Sequence, residues 1–175
     1  MNRKILLWLI IAFVAGGFLA ARQSVIEQQQ QKQPAPATPQ KVSEYSVQLF
    51  LIAPQDKNTS GEIGCGDSTV AITQKANGTS KATAAMEALL AIKDETYGES
   101  GLYNALYQSD LTFTSFEQSG DTAKVKLTGT LKLGGACDNP RVRAQLEQTL
   151  KNAAAVDKVQ IIINGTALEQ LLSER

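Results

Sequence analysis

The sequence predicts an α/β (α+β) domain of order β-α-β-β-α-β, two helices packed on a mainly antiparallel sheet, placed after an N-terminal transmembrane helix. Three observations carry this expectation. Residues 123–131 alternate Ala123, Val125, Leu127, Gly129 and Leu131 against Lys124, Lys126, Thr128 and Thr130, the pattern of a strand with one buried and one wet face. Two stretches, Ala82 to Ile92 and Val142 to Ala153, place apolar residues three and four apart, which is helical spacing. Ahead of all this, Arg3 and Lys4 precede an uncharged apolar run from Ile5 to Ala21.

A basic flank before a hydrophobic segment is the layout of an export signal or membrane anchor, because the positive end stays in the cytoplasm. Cleavage would require small residues at positions −3 and −1. Cutting after Ala20 or Ala21 places Phe18 or Leu19 at −3, so retention as a signal-anchor is the expectation. Residues 1–4 then form a cytoplasmic tail and 5–21 the single membrane span. Residues 22–41 are rich in Gln and carry Pro34, Pro36 and Pro39; too little apolar surface is available to offset ordering entropy, and a disordered linker is expected. Residues 42–175 are one extracytoplasmic domain's worth of chain.

Within that domain, Val47, Leu49 and Leu51 alternate with polar neighbours as a first strand ending at Pro54, and Thr69 to Thr73 form a short second piece. Asn77-Gly78 signals a turn, and Thr79 or Ser80 caps the first helix. Gly98 and Gly101 lie in its exit loop, and Leu102 to Leu106 fit one further turn. Leu111, Phe113 and Phe116 mark a strand, followed by the Ser119-Gly120-Asp121 turn and the alternating strand. Asn139 as N-cap with Pro140 at the first helical position opens the second helix. Val159 to Ile163 form the last strand, and Asn164-Gly165 turns the chain into its tail.

Over 42–175 there are 12 Lys and Arg against 16 Asp and Glu, a net of −4, with no basic stripe. Nucleic acid is therefore not an expected partner, since phosphate neutralisation supplies most of that affinity. The chain contains no histidine, which removes Ser-His and Cys-His nucleophile pairs and His-containing zinc sites.

These blocks resemble the GerMN domain family, named from sporulation and spore germination. The resembling blocks are the first strand YSVQLFLIAP, the helix ATAAMEALLAIK, the following GLYNAL, the strand GDTAKVKLTGTL, and the closing RVRAQLEQTL and VDKVQIIINGTAL, across residues 45 to 168. The resemblance implies an extracytoplasmic α/β domain used in protein assembly, with no catalytic residues or cofactors to carry over.

Two cysteines are the sharpest chemistry. Cys65 and Cys137 each sit in a Gly-rich, Asp-containing loop, and an even count in an exported chain reads first as a disulfide. A reactive thiol is the alternative, because Cys137 lies beside a helix N-terminus. A metal site with Asp67, Asp138 and Glu62 lacks paired ligand spacing, and no metal is expected. Asp94, Glu95 and Glu99 read as a solvated loop. Tyr97, Tyr103 and Tyr107 cluster in one stretch and are the candidate contact surface. The functional expectation is a non-enzymatic envelope module that binds envelope proteins or its own copies. The alternatives are a binding protein for a cell-wall saccharide or peptide and, less favoured, a thiol-dependent enzyme.

Overall fold

The computed structural model describes residues 41–55 and 62–173. The expected tail, span and all but the last residue of the linker lie outside them. Two strands open the domain, β1 (Ser43–Ala53) and β2 (Ser68–Gly78), antiparallel in unbroken register from Ser43 opposite Gly78 to Ala53 opposite Ser68. Val47, Leu49 and Leu51 turn inward and are fully buried. β2 runs five residues past the expected piece, so Asn77 and Gly78 are its last paired residues, not a free turn. From Gln74 to Asn77 the apolar alternation fades; cross-strand pairing with Glu44 to Val47 holds this part instead.

Ser80 caps α1 (Lys81–Ala91): its Oγ accepts from the Thr83 N–H at 3.1 Å. Strand passes into helix so tightly that a Cβ at Gly78 would lie 2.6 Å from the Ala84 nitrogen. Ala82, Ala85, Met86 and Leu89 form the buried stripe of α1. The exit loop then returns to β1. Tyr103 exchanges both backbone bonds with Ile52, at 2.8 and 3.0 Å, so the extra turn expected at 102–106 begins later, at Asn104 to Ser109.

β3 (Asp110–Ser119) and β4 (Thr122–Thr130) pair antiparallel, with Thr114 bulged out of register. α2 (Asp138–Ala154) crosses over and returns as β5 (Lys158–Ile163), parallel to β4. Asn164-Gly165 links β5 to the two-residue β6 (Thr166–Ala167), and α3 (Leu168–Ser173) follows. The chain is thus the expected α/β class built as two sheets rather than one: β1-β2, and β3-β4-β5-β6. One continuous core joins the inner residues of both sheets to α1 and α2.

Gly129 shows how closely the second sheet is fitted. Its φ is +119°, and a Cβ there would lie 1.9 Å from the Asp110 carbonyl oxygen. Asn164, itself at φ +51°, supports the same point: its side chain donates to the Gly129 carbonyl at 2.7 Å and accepts from the Gly129 N–H at 3.0 Å. Gly120 also has positive φ, but nothing lies within 4 Å of a Cβ built on it. Gly120→Ala is expected to cost about 1 kcal/mol for the left-handed backbone, and Gly129→Ala at least about 3 kcal/mol, as read by urea unfolding midpoints.

Candidate functional site

The loop Gly64-Cys65-Gly66 runs through three consecutive positive-φ residues, +110°, +57° and +73°. It closes on itself, the Asp67 N–H donating to the Gly64 carbonyl at 3.1 Å and the Ile63 N–H to the Asp67 carbonyl at 3.0 Å. Glycines on both sides permit this path, and Cys65 between them is held in a conformation L-residues rarely adopt. The structure joins Cys65 to Cys137, with Cα atoms 5.9 Å apart. No described cysteine is free, so the thiol alternative lacks a thiol here.

Cys137 is also the N-cap of α2, where Asn139 was expected. The bridge occupies the Cys137 sulfur, and no side chain caps this end in the usual way. The Asp138 and Asn139 N–H groups donate to the Gly135 and Ala136 carbonyls at 3.0 and 3.3 Å, and the Asp138 side chain accepts from the Gly134 N–H of the preceding loop at 2.6 Å. Asn139 instead reaches α3, donating to the Leu172 carbonyl at 3.1 Å, and Pro140 packs on Gly64.

A buried ionic cluster lies beside the bridge. Arg141 donates from Nε to Asp67 Oδ2 at 2.6 Å and from Nη1 to Asp138 Oδ1 at 3.3 Å. Its guanidinium sits 5.1 Å from the centre of the Tyr103 ring, and the Tyr103 hydroxyl faces both Asp138 oxygens at 3.2 Å. The Gln55 N–H completes the set by donating to Asp67 Oδ1 at 2.9 Å. Asp67 is fully buried, Asp138 nearly so, and the Arg141 side chain is 20% exposed.

Burial alone pushes the Asp67 carboxyl up. The Arg141 hydrogen bond, the Gln55 N–H and the Arg141 charge outweigh it and hold the group below its ordinary 3.8. Tyr103 moves the other way: burial first, then the Asp138 charge and hydrogen bond, push its hydroxyl up to about 12. Arg141 is raised as well, mainly by its bond to Asp67.

A second polar group is fully buried. Gln145 donates to Asn104 Oδ1 at 2.8 Å and accepts from the Ala105 N–H at 2.9 Å, while Asn104 Nδ2 donates to the Ile92 carbonyl at 2.9 Å. Farther along α2, Thr149 Oγ1 accepts from the Phe50 N–H at 3.0 Å. The sequence held a signal for these: Gln145 and Thr149 fall at helical spacing beside Val142, Leu146 and Leu150, polar residues on an apolar stripe.

Of the candidate tyrosines, Tyr103 and Tyr107 meet edge to face with ring centres 6.0 Å apart. Tyr107 accepts from Gln108 Nε2 at 2.6 Å. Tyr97 bonds locally through its backbone to Leu102 and packs on the core edge, with no ring contact to the other two. Among the described residues no group of three His, Cys, Asp or Glu could hold a metal. Chemically the arrangement is a clamp: its carboxylates are paired and buried, its cysteines are bonded, and it presents no nucleophile.

A family model described as sporulation and spore germination, Germane, matches residues 48–169, a stretch containing every cluster residue named above. The chain belongs to the Germane family. The tandem GerMN domains of the sporulation protein GerM from Bacillus subtilis share the Germane fold with it, at 14% identity and TM-score 0.50. That match covers 78% of this chain and 44% of that one, so the chain spans less than half the tandem protein. A putative lipoprotein from Clostridium perfringens matches at 13% identity, TM-score 0.38, covering 76% and 82% of the two chains. No curated protein matches.

The clamp makes two predictions. Replacing Cys65 and Cys137 together by Ser releases a sequence separation of 72 residues and should cost about 4 kcal/mol in the chain-entropy model, measured by urea unfolding. A carboxyl held low in the folded state stabilises above its unfolded value, and that stability is lost as pH falls through the folded value. Unfolding free energy should therefore decline on acidification below pH 3.8. Asp67→Asn, measured over the same range, should be less stable at neutral pH and show a shallower acid decline.

Proposed function

We infer that this Germane-family protein is a non-enzymatic binding and assembly module of the bacterial cell envelope, held at the membrane by residues 5–21 with residues 42–175 outside the cytoplasm. The carrying observation is the internal use of its chemistry. Two buried carboxylates, a guanidinium and a tyrosine bond to one another beside a disulfide whose Cys65 lies at the surface, and a disulfide of this kind suits an oxidising compartment. What such a domain offers a partner is shape and backbone, held rigid.

A saccharide or peptide pocket would call for a concave groove with aromatic lining. Open grooves on the described surface include two beside the helices. One, of about 350 Å³, lies between α1 and β3 and is lined by Glu87, Leu90, Lys93, Asp110, Leu111 and Phe113. The other, of about 290 Å³, lies along α2 near Pro140, Arg143, Glu147 and Lys151. A single aromatic ring lines the pair, which favours the assembly reading.

The test is made in the source cells. The full chain should sediment with membranes, and deletion of residues 5–21 should release it. Crosslinking followed by affinity capture should recover envelope proteins or further copies of the chain. Capture of neither, with a monomeric full chain, would overturn the reading.

A further inference from the structure

The backbone register singles out one open strand edge. Ile52 exchanges both of its bonds with Tyr103, so its N–H and C=O point away from β2. Alternation then turns Leu51 and Leu49 toward β2, where they face Val70 and Ile72. The backbone groups of Ala71, Thr73 and Lys75 therefore point outward. Within the described residues β2 has a neighbour on one side only.

Other edges carry protection. On β1, Tyr103 occupies Ile52 and the Thr149 hydroxyl occupies the Phe50 N–H. β3 is bulged at Thr114, and Lys93 reaches the Ser109 carbonyl at its start. β6 is two residues long. β2 has no proline and no bulge over Val70–Ala76, and its one charge there, Lys75, is tied to Glu44 at 2.8 Å. A long regular edge without such devices is a template for another strand.

We propose that this edge pairs with the same edge of a second copy, β2 against β2, antiparallel about a two-fold axis at Thr73; the idea rests on the assembly reading above. The sequence is self-complementary in this register. Val70 falls opposite the partner subunit's Ala76, and Ile72 opposite the partner subunit's Gln74. These lie on the inner face, where Val70, Ile72 and Ala76 are half-buried and gain cover. On the outer face Ala71 meets the partner subunit's Lys75, so no like charges oppose one another. The result is a continuous four-stranded ribbon, β1-β2-β2-β1, closed by symmetry. Forty residues precede the described domain, and a membrane anchor within them raises the local concentration of copies.

The experiment uses the full chain in membranes. At the axis, paired Cα atoms lie about 5.5 Å apart, within the roughly 4.4–6.8 Å that a disulfide spans. Thr73→Cys should give a covalent dimer under mild oxidation, and Gln160→Cys, exposed on β5, should not. Ala71→Lys sets two pairs of like charges across the axis and should weaken dimerisation about tenfold with the unfolding midpoint unchanged. Thr73→Pro removes only an outward N–H and should do the same. Equal crosslinking of Thr73→Cys and Gln160→Cys overturns the proposal, as does a dimer indifferent to Ala71→Lys. Thr73→Cys joined to a different protein also overturns it, while leaving the assembly reading intact.

Discussion

The structure depends on α2 serving as hydrogen-bond partner to the two-stranded β1-β2 half of the molecule, where β1 has a strand on one side only. β1 lies against β2 on one side only, and its other edge would carry unsatisfied amides if buried against an apolar helix. α2 meets one of these amides and two side chains of the same pair of strands, while Tyr103 takes the Ile52 N–H. Thr149 takes the Phe50 N–H, Gln148 accepts from the Thr69 hydroxyl at 2.6 Å, and Asn152 donates to the Gln48 side chain at 2.8 Å. One turn back, Gln145 holds the loop that carries Asn104 and Ala105. Arg141, at the helix start, holds Asp67. The two sheets are joined through this polar ridge as much as through the apolar core.

That arrangement explains what the sequence disclosed and what it hid. Strict alternation in β4, the Ser80 cap and the Gly120 turn are local signals, and each element formed where its signal lay. The cysteine pair was legible because an even count of two, each in a Gly-rich loop, in a chain read as exported has few alternatives. The parallel β4–β5 pairing, the division into two sheets and the full length of β2 were not legible, since each is set by partners distant in sequence. β2 beyond Thr73 is held by register with Glu44 to Val47, and no periodicity in Gln74-Lys75-Ala76-Asn77 announces it. Asn139-Pro140 carried a helix-start signal, yet the N-cap lies two residues earlier at Cys137, the first N–H groups of the helix bonding the Gly135 and Ala136 carbonyls.

Within the candidate site, Arg141, Asp67 and Asp138 are ordinary surface residue types, and only their convergence makes them a clamp. Spacing of three between Asp138 and Arg141 places them on one helix face, but Asp67 arrives from 74 residues away. Tyr103 was legible as one of a cluster and not as a member of this one. Its bond to Asp138 and its position under Arg141 arise because Ile52 pins its backbone at the end of β1.

Bridge and ionic cluster act on different states of the chain, which accounts for their standing side by side. A disulfide limits the unfolded ensemble and says little about which way the loop faces once folded. Buried charges work in the reverse sense: they are costly unless every partner is in place, so they select the one arrangement that satisfies Asp67, Asp138 and Arg141 together. With both, the Gly64–Asp67 loop is confined in the unfolded chain and oriented in the folded one, and Cys65 keeps its left-handed backbone at φ +57°. The same loop leads directly into β2. Fixing it fixes the start of the strand whose outer edge has no strand beside it among the described residues, and a rigid edge presents its N–H and C=O groups at the regular spacing that another strand requires.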